Sequence, residues 1–253
     1  MGKEKITGTC HICGQTTELS YEHIPPKSAF NSTKRKLCSV ETLLETPSRD
    51  NLPPWDLTGL KYTQFQQGVG FPTLCEKCNN FMGHHYGGEY KKFIQGIGYQ
   101  VMQIPKENRH GAVSFHVQDI NVLFVFKQII SMFCSINTPE FGQNFREFLL
   151  NVDNTNFDCN KFKVCTYLHS GKVDRFVPVQ GNLDTQTGNI MLFSEISTFP
   201  LGFIFFYANK STFNTFCGCD ITSLSNRNDI REMDLPVPFY SCNTPFGLDF
   251  RDL

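Results

Sequence analysis

Four cysteines in two pairs constrain this chain more than anything else in it. Cys10-His11-Ile12-Cys13 lies near the start, and Leu74-Cys75-Glu76-Lys77-Cys78-Asn79-Asn80 lies far downstream. Two Cys-x-x-Cys pairs supply the four thiolates of a closed tetrahedral zinc site by spacing alone. Sulfur sits about 2.3 Å from such an ion, so one zinc would pin two segments that the sequence holds far apart. A clamp of this kind stabilises a small core that could not hold itself together. A redox role is the weaker reading, because no thioredoxin-like context surrounds either pair.

The other cysteines bear on compartment. The chain of 253 residues carries 11 of them. An odd number, behind a polar start with no apolar run, argues against a disulfide framework and for reduced thiols in the cytoplasm. Cys38, Cys134, Cys159, Cys165, Cys217, Cys219 and Cys242 read as small buried hydrophobes. Cys217-Gly218-Cys219 is too tight for zinc and has no second pair nearby. No stretch reaches the roughly 18 apolar residues of a membrane span. The richest run, Leu123 to Cys134, is broken by Lys127, Gln128 and Ser131. A net charge of -1 excludes a global field that draws the chain to nucleic acid. A local patch remains: Lys27, Lys34, Arg35 and Lys36 fit either a solvated loop or a phosphate-contacting one.

Periodicity sketches the rest. Residues 6–14 read as a zinc knuckle closed by Gly14, and 16–23 as a strand with His23 at its end, before Pro25 and Pro26. Residues 27–60 are poor in periodicity, with Pro47, Pro53 and Pro54 marking irregular chain. A second strand is expected within 60–75. A short helix follows over 76–83, Gly87-Gly88 reads as a break, and a helix covers 89–103. Beyond a polar boundary at 105–111, Asp119 is expected to cap an apolar helix to about Ile136, and Pro139 to start another to about Leu150. Strands are expected near 162–168, 173–179, 188–194 and 201–208, with turns at Ser170-Gly171 and Thr187-Gly188 and a mostly irregular tail. Ile204-Phe205-Phe206-Tyr207 suggests a strand buried on both faces. The class is α+β: a zinc-stabilised module over 1–104 and a mixed helix and antiparallel-sheet domain over 105–253.

Between the two cysteine pairs stands Tyr21-Glu22-His23-Ile24-Pro25-Pro26. Cys-x-x-Cys, then Glu-His-Ile-Pro-Pro, then Cys-x-x-Cys-Asn resembles the zinc-supported branch of the HNH, or ββα-metal, endonuclease superfamily. The resemblance covers roughly residues 8–90. It implies that His23 is the general base that activates water, and that Glu22 and Asn79 hold one divalent cation. Asn80 competes with Asn79, but the family position favours Asn79. His84 and His85 are alternative ligands or phosphate contacts. The chemistry of the residues agrees with these roles. A near-neutral imidazole suits proton abstraction at pH 7. A carboxylate and an amide oxygen are hard ligands suited to Mg²⁺ or Mn²⁺, and one such ion can act as Lewis acid and template.

The chain departs from the family at two places. Glu22 stands where Asp is commoner. Val69-Gly70-Phe71-Pro72-Thr73 lacks the central Asn that orients the histidine, so another group must hold His23, such as a backbone carbonyl. The resemblance implies a nuclease acting on DNA rather than RNA, with a homodimer mate or a sensor protein as a further partner. Stand-alone proteins similar to this branch serve microbial conflict systems, which implies an antiviral defence or toxin effector. The rival expectation is a zinc module that binds nucleic acid or protein without catalysis.

Overall fold

The first strands form where the clamp was expected. In a computed structural model of the chain, residues 6–45, 52, 56–105, 111–169, 173–183, 190–207, 218–228 and 231–239 are described. β1 (Thr7–Thr9) pairs antiparallel with β2 (Thr16–His23), and β2 pairs on its other edge with β5 (Gly70–Cys75). The order is β1-β2-β5. Leu19 faces Cys75 and His23 faces Gly70, with a register shift beside Ser20 that leaves Thr73 as the extra residue of a bulge. Between β2 and β5 run a two-stranded ribbon, β3 (Arg35–Leu37) with β4 (Thr63–Phe65), and a short helix, α1 (Val40–Glu45).

β5 runs straight into α2 (Glu76–Met82), with Cys75 as its N-cap. A π-helical turn (Gly83–Gly87) joins α2 to α3 (Gly88–Gln103) without interruption. The break expected at Gly87-Gly88 is therefore absent: both residues hold right-handed helical angles. Each glycine costs a helix about 1 kcal/mol. Tyr86, Tyr90, Phe93, Ile94 and Ile97, all buried, outweigh that cost.

α4 (Val122–Ile136) is the axis of the molecule. It is apolar nearly all round, as a helix enclosed on every side must be. Its N-cap is Asn121, whose side-chain oxygen accepts from the Phe124 amide at 3.2 Å. Asp119, the expected cap, instead sits at a φ of 57° just outside. Lys127 is fully buried and donates to the carbonyls of Asn151 and Val152 at 2.7 and 2.9 Å. The single helix expected after Pro139 is two short ones, α5 (Pro139–Gln143) and α6 (Arg146–Leu150).

Against α4 lies a five-stranded antiparallel sheet. It contains β7 (Phe162–Leu168), β8 (Arg175–Leu183), β9 (Ile190–Ser197), β10 (Leu201–Tyr207) and β11 (Cys219–Asp220), in the order β11-β7-β10-β9-β8. β10 is central, and Leu201 to Phe206 are buried on both faces as expected. The expected turns at 170–171 and 187–188 lie outside the described residues, as do Pro47, Pro53, Pro54, Cys217 and Cys242.

The longest of the strands that went unforeseen form a pair of their own. β6 (Gly111–Val117) pairs along its whole length with β12 (Met233–Phe239). β12 carries Pro236 and Pro238, which hide a strand from propensity and are tolerated where one edge needs no donors. The tail from residue 220 is thus only partly irregular. One hydrophobic cluster extends from Cys10 to Val237 and joins residues on both sides of position 105. Much of the phenylalanine content enters it: Phe141, Phe145, Phe157, Phe162 and Phe205 pack ring against ring, mostly edge-on or tilted.

Candidate metal centre and the end of the second strand

Cys10, Cys13, Cys75 and Cys78 converge. Their sulfurs lie within 4.8 Å of one another, close enough to hold a metal ion such as zinc. Cys13 and Cys75 Sγ are 3.8 Å apart. That is the edge of a tetrahedron whose corners lie about 2.3 Å from its centre. The knuckle is built by its backbone: the Cys10 amide donates to Gln15 O and the Gly14 amide to Cys10 O, both at 2.9 Å. Gly14 closes the turn at a φ of 74°.

The knuckle is also docked from outside. His11 donates its backbone N–H to Thr73 O at 3.0 Å and places Nδ1 2.9 Å from Cys134 O, on α4. A Cβ on Gly142 of α5 would overlap the His11 carbonyl. Gly142→Ala is therefore expected to push the knuckle off the helices and lower stability by about 1–3 kcal/mol, read by chemical denaturation.

One of the four thiols, Cys10, is poised to lose its proton. The Cys10 thiol is pulled down to about 4, chiefly by hydrogen bonding from Cys78 and against the cost of burial. Cys78 rises in turn, through its hydrogen bond to Cys10, its burial and the Cys10 charge. A dication would replace these protons, so binding releases acid and weakens as pH falls.

Glu22, His23 and Asn79 do not share one surface. Successive side chains of a strand point to opposite faces. Tyr21 and His23 share the open face, their rings edge to face at 5.1 Å. Glu22 turns the other way, is 6% exposed, and accepts a hydrogen bond from Ser135 Oγ on α4. Burial, and secondarily the charge at Cys10, pushes its carboxyl up to about 7 although the Ser135 bond opposes the rise. Asn79, on α2, reaches β2: Nδ2 donates to Ser20 Oγ at 3.0 Å and to Tyr21 O at 3.2 Å. Its Oδ1 makes no hydrogen bond among the described residues. His84 is exposed and His85 half-buried in the π turn, with the His85 ring against Phe81 at 4.4 Å. Among the described residues, neither joins Glu22 or His23 in a three-ligand group of His, Cys, Asp or Glu.

His23 is held by a backbone carbonyl. Nε2 lies 3.0 Å from Gln67 O, which leaves Nδ1 for a second partner. Burial, then the nearby Lys27 charge, lowers its pKa against the raising effect of that bond, so the ring is neutral at pH 7. Gln67 is fixed by a residue that sequence reasoning did not single out. Buried Asn31 donates Nδ2 to the Pro25 and Val69 carbonyls at 2.7 Å each and accepts from the Val69 amide at 2.8 Å. It thereby stitches the chain after His23 to the start of β5. Gly68 lies between Gln67 and this stitch at a φ of 89°, and a Cβ there would overlap Asn31 O. Gly68→Ala is expected to displace the Gln67 carbonyl and free the His23 ring. The check is a further fall of the His23 titration, followed by NMR, because the bond lost is the one that raises its pKa.

Comparison of the chain with family models, curated proteins and solved structures gives no match. The described residues define an α+β protein with four cysteines placed closely enough to hold a metal ion. No helix among them is long and apolar enough to cross a membrane.

Proposed function

We propose that the chain is a metal-dependent endonuclease of the HNH type that hydrolyses phosphodiester bonds in DNA. The observation that carries the reading is the placement of His23. It ends the first long strand of a β2–β5–α2 unit clamped by four cysteines, is half-buried and neutral, and has one nitrogen committed to Gln67 O. That is the arrangement a general base needs: a fixed tautomer, a free second nitrogen, and access to water. A Mg²⁺ or Mn²⁺ ion bound near Asn79 would act as Lewis acid on the phosphate. Asn79 Oδ1 is the available hard donor, and Glu22 would join it by exchanging Ser135 for the cation. The four thiolates fill a zinc shell and leave zinc no open position, so zinc is structural in this scheme.

The burial of Glu22 favours a second reading, a zinc module that binds nucleic acid or a protein without cleaving it. Manganese binding separates the two. Zinc-loaded native protein is expected to take up one weakly held Mn²⁺ per chain, seen by EPR, and Asn79→Ala and Glu22→Ala to lose it. Absence of that site in the native chain would leave only the second reading. For the enzyme, the acid limb of the pH–rate profile is expected below the ordinary histidine value near 6.5, because the His23 pKa is lowered.

A further inference from the structure

The basic cluster of the sequence is arranged as a sheet surface. β3 and β4 pair with Arg35 opposite Phe65, Lys36 opposite Gln64 and Leu37 opposite Thr63. Alternation then sorts the side chains. One face is anchored: Arg35 pairs with Asp174 at 3.0 Å, and the Phe65 ring meets Phe71 of β5. The other face carries Lys34, Lys36, Tyr62 and Gln64, all exposed. Lys36 Nζ lies 4.4 Å from the Tyr62 ring centroid, which confirms that the two share that face. Lys61 and Lys27 add exposed cations at its margins, and no carboxylate interrupts 27–37 or 61–67.

This face leads to the candidate site. Gln67, two residues past the end of β4, holds His23 through its carbonyl and Lys27 through its side chain at 2.7 Å. Tyr21, 43% exposed, stands against the His23 ring, and Tyr62 is 44% exposed. Two open tyrosines among lysines offer stacking faces beside cations, which suits a flat, anionic ligand. On a duplex the base faces are stacked away and only phosphates and groove edges can be reached. An unpaired strand offers both phosphates for the lysines and base faces for the rings.

We propose that the outward face of the β3–β4 ribbon binds single-stranded nucleic acid, with phosphates on Lys34 and Lys36 and a base stacked on Tyr62, and directs the strand to Tyr21 and His23. The proposal rests on the nuclease reading for the fate of the strand; the binding step stands by itself.

Fluorescence anisotropy on the full zinc-loaded chain, without added Mg²⁺, tests it with a short labelled single strand, the matching duplex, and heparin as competitor. The single strand binds more tightly than the duplex. Tyr62→Ala weakens it roughly tenfold and leaves the duplex unchanged, while Tyr62→Phe retains native affinity. Lys34→Ala with Lys36→Ala lowers the salt slope for the single strand by about 1.4. Equal affinity for strand and duplex, native affinity in Tyr62→Ala, or displacement by heparin with no preference for the strand would overturn it. Plasmid cleavage by native protein with Mg²⁺, together with unaltered binding by Tyr62→Ala, removes the ribbon and leaves the nuclease. Tyr62-dependent binding by a chain that never cleaves removes the nuclease and leaves the ribbon.

Discussion

Cys75→Ala is expected to strip the metal and melt the N-terminal sheet. Cys75 acts in three ways. It is one of four sulfurs within 4.8 Å, its Sγ caps α2 by accepting from the Cys78 amide at 3.5 Å, and it closes β5 opposite Leu19. Structural zinc contributes on the order of 10 kcal/mol to the folding of small modules, comparable with the whole stability of an ordinary domain. Here the knuckle also packs on α4 and α5, which softens the loss. A residual cost of about 5 kcal/mol corresponds to a fall in Tm of roughly 10–20 °C. Zinc content by mass spectrometry and thermal melting by circular dichroism check both parts. Cys38→Ala, which lies outside the group of four cysteines, should keep its zinc and melt near the native temperature. A Cys75→Ala protein that retained zinc and native stability would show that the four cysteines do not act as one centre.

Glu22→Gln should stabilise the protein, and only at higher pH. The carboxyl is buried and its folded pKa is raised from 4.5 to about 7. A folded state that keeps a proton the unfolded chain has released loses stability as pH rises between those two values. The penalty is fully present above pH 7 and absent below pH 4.5, and amounts to about 3 kcal/mol. Glutamine keeps an acceptor for Ser135 and never ionises. Denaturation at pH 8 should therefore favour Glu22→Gln by about 2–3 kcal/mol, with little difference at pH 5. Zinc held by the four thiolates would leave net negative charge near it and push in the same direction. Added Mn²⁺ separates the roles: if Glu22 ligates the ion, Mn²⁺ raises the native Tm at pH 8 and leaves Glu22→Gln where it was. Equal stability of the two proteins at every pH would place the carboxylate in solvent.

What could be read from the residues was local. Two Cys-x-x-Cys pairs announce their own geometry. β2 and β7 to β10 follow from apolar alternation or from runs such as Ile204 to Phe206, and α4 from an apolar stretch too long for a strand. What failed depends on partners far along the chain. Glu22 is drawn into the core by Ser135, 113 positions away, and nothing around Tyr21-Glu22-His23 signals that a helix will cover one face of the strand. β6 and β12 exist only as a pair, and the prolines of β12 conceal it. The expected backbone hold on His23 is present, but that Gln67 supplies it could not be foreseen, since a carbonyl has no sequence signature. Asn31, which fixes that segment, lies outside every recognisable motif. Gly87-Gly88 misled for the opposite reason: local helix cost was read correctly and tertiary burial overrode it.

The most direct test is cleavage of supercoiled plasmid by zinc-loaded protein at pH 7.5 with Mg²⁺ or Mn²⁺, native beside His23→Ala at matched zinc content. Nicking by the native chain that requires the added ion and vanishes in His23→Ala is the predicted result. Cleavage that survives the loss of the imidazole, or a native chain inert with either ion, would contradict it.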